Sequence, residues 1–198
     1  ASDGVVTFTQ TPVGAGGGKV DVITGITSGG QGVATQSISL STSADYLWQQ
    51  VIIRGCYSTT VADLYLNTGL NGGAIVDGAG KYNWRVNEGI TNTSGANSTG
   101  GTGSTGDSKG RLVWYSLGNA SSEKNMLIIN IYNSNTASHQ TYMSGQRIGR
   151  QSDDANYSFG TFGITLADST IEDRIQLKPS SGTALYIDDY MVYGYKKA

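Results

Sequence analysis

Short runs rich in β-branched and aromatic residues recur along the chain at intervals of roughly 8 to 15 residues, each closed by a glycine, proline, asparagine or serine break. No amphipathic run of helical period extends beyond about 10 residues. A chain punctuated in this way buries its apolar side chains as strands, and two stacked antiparallel sheets let each cover the apolar face of the other. The expected fold is therefore all-β, an antiparallel and jelly-roll-like sandwich. Strands are expected near 5–9, 19–26, 33–40, 46–54, 63–67, 81–86, 111–117, 126–132, 157–166, 171–177 and 184–195. The run from Met126 to Tyr132 reads as a central strand, because Leu127, Ile129 and Ile131 share one face. Trp48, Trp84 and Trp114 each fall inside a strand candidate and are expected to fill the core.

One such sandwich accounts for a chain of 198 residues. The expected division is an N-terminal arm over 1–18 and a single sandwich domain over 19–198. The arm opens with a strand-like piece, Val5-Val6-Thr7-Phe8, and continues into a hinge from Pro12 to Gly18. The stretch 91–110 is almost wholly Thr, Asn, Ser and Gly, with little apolar area to offset backbone entropy, and is expected as a flexible surface loop. Near the C-terminus, Arg174 to Leu177 and Tyr186 to Tyr195 flank the break Pro179-Ser180-Ser181-Gly182 and read as a closing hairpin.

Charge narrows the partners. Charged residues make up only 14% of the chain, against about 25% in an ordinary domain. The 13 basic and 15 acidic side chains leave no positive excess to neutralise a run of phosphates, so nucleic acid is not an expected partner. Neither is a membrane: no apolar stretch approaches the roughly 20 residues of a span, and the N-terminus lacks the basic and apolar regions of a signal peptide, so the chain reads as soluble. Its single cysteine, Cys56, can form no intrachain disulfide, which suits folding in a reducing cytoplasm and equally a secreted protein without disulfides.

The motifs with chemical meaning read as structural. Gly101-Thr102-Gly103-Ser104-Thr105-Gly106 has the dinucleotide spacing, but that motif works only between a strand and a helix, and neither neighbour fits. The only histidine, His139, falls in a polar turn. Among the acidic residues that a glycosidase pair would require, Asp188 and Asp189 are adjacent on a strand and face opposite ways, while Glu88, Glu123 and Glu172 are scattered. Asp153-Asp154-Ala155-Asn156 lacks the ligand spacing of a calcium loop. No catalytic residue, cofactor or metal is expected. The aromatic residues allow a second use, as a platform stacking on sugar rings, with Asn and Asp binding hydroxyls. Tyr142, Tyr157, Tyr190, Tyr193 and Tyr195 are the candidates for surface or subunit contacts.

The ending of strand, Pro-Ser-Ser-Gly, strand and Tyr193-Gly194-Tyr195 resembles the C-terminal end of β-sandwich virion proteins from tailed bacteriophages, a group that includes tail-fibre modules and head accessory proteins. Asp45-Tyr46-Leu47, Ile53-Arg54-Gly55, Asp63-Leu64-Tyr65-Leu66-Asn67 and Lys81-Tyr82-Asn83-Trp84 are similar in kind and order to the first half of these modules. Gly160, Gly163 and the segment 171–195 are similar to the second half. The resemblance implies a non-enzymatic virion part, in the first place a capsid decoration or cement protein that stabilises the head. Its partners would be the major capsid protein or other virion proteins and copies of itself, as a trimer, and it would assemble in the cytoplasm of the bacterial host. The alternatives are a tail-associated module that binds host glycans and a secreted jelly-roll enzyme that degrades polysaccharide. Val5, Val6 and Phe8 are expected either as a strand or apolar anchor offered to a neighbour or, equally, as an ordinary first strand folded back onto its own sandwich, and further assembly contacts are expected from Tyr190, Tyr193 and Tyr195.

Overall fold

The computed structural model describes residues 19–92, 97–113, 117–150, 156–180 and 183–197. The arm with Val5, Val6 and Phe8, as well as Trp114 and the Asp153-Asp154 pair, lies outside the described residues. The described residues form fifteen strands, in chain order β1 (Val20–Ser28), β2 (Gln31–Val33), β3 (Gln36–Ser39), β4 (Tyr46–Ser58), β5 (Leu64–Leu70), β6 (Ile75–Val76), β7 (Tyr82–Asn92), β8 (Asn97–Asp107), β9 (Gly110–Arg111), β10 (Asn125–Tyr132), β11 (Tyr142–Arg150), β12 (Asn156–Leu166), β13 (Glu172–Pro179), β14 (Leu185–Tyr186) and β15 (Asp189–Lys196). They form the antiparallel β-sandwich expected from the sequence. A ten-stranded sheet runs β1-β15-β4-β10-β11-β12-β7-β8, with β14 and β2 attached beside β4, and a five-stranded sheet runs β3-β13-β5-β6, with β9 on β5.

Alternation in the central strands builds the core. Leu127, Ile129 and Ile131 of β10 are fully buried, as are Val51 and Ile53 on the neighbouring β4, and they face Leu64, Leu66, Ile175 and Leu177 of the small sheet within one cluster. Two such inner faces remove the apolar surface of both sheets from water, the dominant favourable term in folding. Tyr82 ties the layers together from inside: its hydroxyl accepts from the Thr68 amide at 2.8 Å and donates to the Val76 carbonyl at 2.8 Å.

Four expectations change. The segment 91–110 is not a loop over most of its length, since β8 pairs in register with β7 from Tyr82↔Asp107 to Thr91↔Asn97. Its glycines serve that pairing: a Cβ at Gly101 or Gly103 would press on the Val86 or Trp84 carbonyl. The ladder supplies the hydrogen bonds that composition alone did not suggest. The closing hairpin is also absent, because β13 pairs with β3 and β5 whereas β15 pairs with β1 and β4. The Pro179 break therefore carries the chain from one sheet to the other, and Ile175 and Val192 reach the core from opposite sides. Of the strand expected over 111–117, Arg111 ends the two-residue strand Gly110–Arg111, 112–113 are not strand, Leu117 makes an isolated bridge with Ala62, and 114–116 lie outside the described residues. Trp48 is not a core residue: it alternates with buried Gln49 and Val51 and lies on the outer face, while Trp84 is half-buried against the core. Strand β11 has no counterpart in the sequence expectation.

Candidate functional site

Met126, Tyr132, Tyr142, Ile148, Tyr157 and Phe159 are exposed on the outer face of the large sheet. Strand pairing sorts it into rows running across the sheet. At one end Tyr195, Trp48, Tyr132 and Tyr142 are successive cross-strand neighbours. The Trp48 and Tyr195 rings stack with centroids 3.6 Å apart and planes 6° from parallel, and Tyr132 packs against Trp48 at 5.8 Å. At the other end Met126, Ile148, Phe159 and Gly89 are successive neighbours, with Tyr157 beside them on β12. Ile148, Phe159 and Tyr157 are each about half exposed. This second end forms a recess of about 1360 Å³, walled on one side by β8 and on the other by the Gly55 bend of β4.

The walls are polar. Arg54 grips Asp189 with both Nε and Nη2, at 2.6 and 2.7 Å, and Lys124 pairs with Asp188 at 2.6 Å. These contacts raise the pKa values of Arg54 and Lys124 and hold both charged. Gly55 has φ 68° and its missing Cβ leaves room for the Asp188 side chain, so the bulge in β4 and the rim ion pair depend on glycine there. The Arg150 guanidinium lies 4.9 Å from the Tyr157 ring, with Nη2 donating to its hydroxyl at 2.7 Å. Arg85 stands exposed on β7, its Nε donating to Asn87 Oδ1 at 3.3 Å.

Beneath the recess lies a buried polar network. Arg147 of β11 points into the core, donating from Nη1 to Glu88 Oε1 at 3.1 Å and from Nε to Asn125 Oδ1 at 2.9 Å. Asn125 Nδ2 donates in turn to the carbonyls of Cys56 and Glu123. Room for this polar layer comes from glycine: Glu88 lies where a Cβ of Gly160 would stand, and Asn125 where one of Gly149 would. Burial lowers the Arg147 pKa while Glu88 opposes that shift, and burial pushes the Cys56 thiol up to about 12.

Glu88, Glu123, Glu172, Asp188 and Asp189 each have partners within the fold. Glu88 is engaged by Arg147, and Glu123 accepts the amides of Asn119 and Ala120 to close a turn. Glu172, on the small sheet, accepts from Thr141 Oγ1 at 2.6 Å and Thr170 Oγ1 at 3.1 Å. Burial raises the Glu172 pKa to about 7. Asp188 and Asp189 diverge to separate cations, as their adjacency on the chain requires. His139 is exposed in a turn, its Nδ1 within 2.9 Å of Ser138 Oγ. Among the described residues no three His, Cys, Asp or Glu side chains converge as metal ligands. The Gly101 to Gly106 motif lies within β8, an edge strand, and among the described residues no helix adjoins it.

The expected assembly tyrosines do not share one face. Tyr190 pairs with Ile53 and packs half-buried against the core, whereas Tyr193 and Tyr195 pair with Gln50 and Trp48 on the outer face. All three lie on β15 between β1 and β4 and are only partly exposed. Tyr142 and Tyr157 are the more exposed of the tyrosines singled out. Phe159, Ile148, Met126 and Arg85 were not singled out in the sequence. Parity identifies them: Phe159 and Tyr157 alternate with the inward series of Phe162, Ile164 and Leu166.

Fold and recess together define a β-sandwich with one open, apolar-floored and polar-walled face. Neither a known protein family nor a curated protein matches the chain.

Proposed function

We propose that this chain is a non-enzymatic structural protein of a tailed-bacteriophage virion, a capsid decoration or cement subunit that works by docking to the major capsid protein and to copies of itself. The observation that carries this reading is the exposed patch of Met126, Ile148, Phe159 and Tyr157 on the ten-stranded sheet. A contiguous exposed apolar patch on a fold otherwise well packed marks an interaction surface. The partners of Glu88, Glu123 and Glu172 agree with it, since each carboxylate is committed to holding the fold. The sequence likeness to phage virion modules supplies the setting. The test uses heads from a phage whose gene for this protein is deleted. Added protein is expected to sediment with the heads to saturation and to raise their resistance to heat; no co-sedimentation overturns the reading.

A second reading, a tail-associated module that binds host glycans, is favoured by the make-up of the recess. Exposed rings of Tyr157 and Phe159 lie beside Asn87, Thr161 and Ser98, which provide hydrogen-bonding groups. The C–H face of a sugar ring is apolar and weakly positive, and so complements the negative face of an aromatic ring. Binding of the purified protein on a glycan array, lost in Phe159→Ala, is the expected result; an array without signal rejects it.

A further inference from the structure

Resting on the glycan-binding reading, we propose that the recess selects an acidic saccharide chain, bearing uronate or sialate groups, and that Arg85 holds its carboxylate. Size sets the first constraint. At about 1360 Å³ the recess exceeds the roughly 300–1,000 Å³ of ordinary small-molecule pockets, so an occupant that fills it is several rings long. The rings set the second. Phe159 has Gly89 as its cross-strand neighbour on β7, so no side chain covers it from that position, and Tyr157 carries Arg150 against its ring. Both present aromatic surface toward the recess.

Charge decides the class of sugar. The rim cations Arg54 and Lys124 are matched by Asp189 and Asp188, and the buried Arg147 is matched by Glu88. Arg85 differs. It is exposed within the recess, and among the described residues its hydrogen bond goes to the neutral Asn87 rather than to a carboxylate. That bond leans Arg85 towards Asn87, whose cross-strand neighbours are Thr161 and Gly101, without neutralising the cation. A planar fork of donors matches a carboxylate with two parallel hydrogen bonds, and a charged acceptor makes each of them stronger. An uncharged sugar covering Arg85 would strip water from the cation and return only weaker bonds. A second copy of the chain seated on this face offers Arg85 no unpaired carboxylate from the rim, because Asp188 and Asp189 are already engaged. A nucleic acid would require several such cations in line.

The test is a glycan array containing uronate-bearing, sialate-bearing and neutral chains. It is followed by titration calorimetry with oligogalacturonate or the best acidic array ligand, and with the same chain after reduction of its carboxyl groups. Arg85→Gln and Phe159→Ala change exposed side chains and are expected to fold. The acidic chain should bind at least roughly tenfold more tightly than its reduced form. Arg85→Gln should abolish that preference while leaving binding of the reduced chain unchanged, and Phe159→Ala should weaken both. Equal binding of acidic and reduced chains, with no effect of Arg85→Gln, overturns the acidic assignment and leaves glycan binding standing. An array without signal overturns both, as does a protein that binds only itself and loses that association in Phe159→Ala.

Discussion

Glu172 is a carboxyl group buried in the sandwich with two threonine hydroxyls as side-chain partners and, among the described residues, no ion pair, and its replacement by glutamine is expected to change how stability depends on pH. Burial raises its pKa from the ordinary 4.5 to about 7, and the charge of Asp168 adds to the rise. Below the ordinary value the group is protonated in both states and contributes no pH dependence. As pH rises from there towards 7, the unfolded chain releases its proton while the folded chain retains it, so the folded state loses ground. Above 7 both states are ionised and the loss is complete. A difference of between two and three pKa units corresponds to about 3 kcal/mol, of which about 2 to 3 kcal/mol falls between pH 5 and pH 8.5. Urea unfolding of the native protein and Glu172→Gln at those two pH values measures this directly. Groups that titrate identically in both proteins cancel in the comparison. The variant should gain about 2 to 3 kcal/mol relative to the native protein on going from pH 5 to pH 8.5. Parallel stability curves across that range would refute the reasoning, whatever constant offset separates them.

The buried pair Arg147 and Glu88 makes a second case. Arg147→Met alone should cost about 3–5 kcal/mol by leaving a carboxylate buried without its cation, whereas Arg147→Met with Glu88→Leu should cost much less, as a double-mutant cycle by urea unfolding would report. Gly55→Ala should destabilise by about 1–3 kcal/mol, since it places a Cβ at positive φ and against the Asp188 carboxylate; an unchanged melting midpoint would contradict the role given to the bulge. The Cys56 thiol, fully buried with its pKa at about 12, should resist a thiol reagent at pH 8 in native buffer and react stoichiometrically in denaturant.

What the sequence revealed of the fold follows from where apolar side chains sit. In β10 strict alternation marks Leu127, Ile129 and Ile131 as inward, and the structure buries all three. Strand β11 escapes the same test because its inward positions are Met143, Gly145 and Arg147, of which only the first is an apolar side chain of any size. Strand β8 escapes it because Gly, Ser and Thr become a strand only through the ladder that β7 offers. Both are cases where a neighbour, rather than local propensity, decides the state. The outward position of Trp48 was legible, for it lies three residues from Val51 and so on the opposite face of β4. Parity along β12 likewise marks Tyr157 and Phe159 as outward. The recess itself was not legible, because it depends on β8 closing one side and on the bend at Gly55 shaping the other. The break at Pro179 was found, but local turn chemistry does not distinguish a hairpin from a passage between sheets.

Electron microscopy of phage particles, produced from a genome encoding this protein and labelled with gold-conjugated antibody to it, tests the central claim most directly. The decoration reading predicts label distributed regularly over the head and absent from particles made without the gene. Particles that carry no label, with the protein recovered only in the unassembled fraction of the lysate, would contradict it.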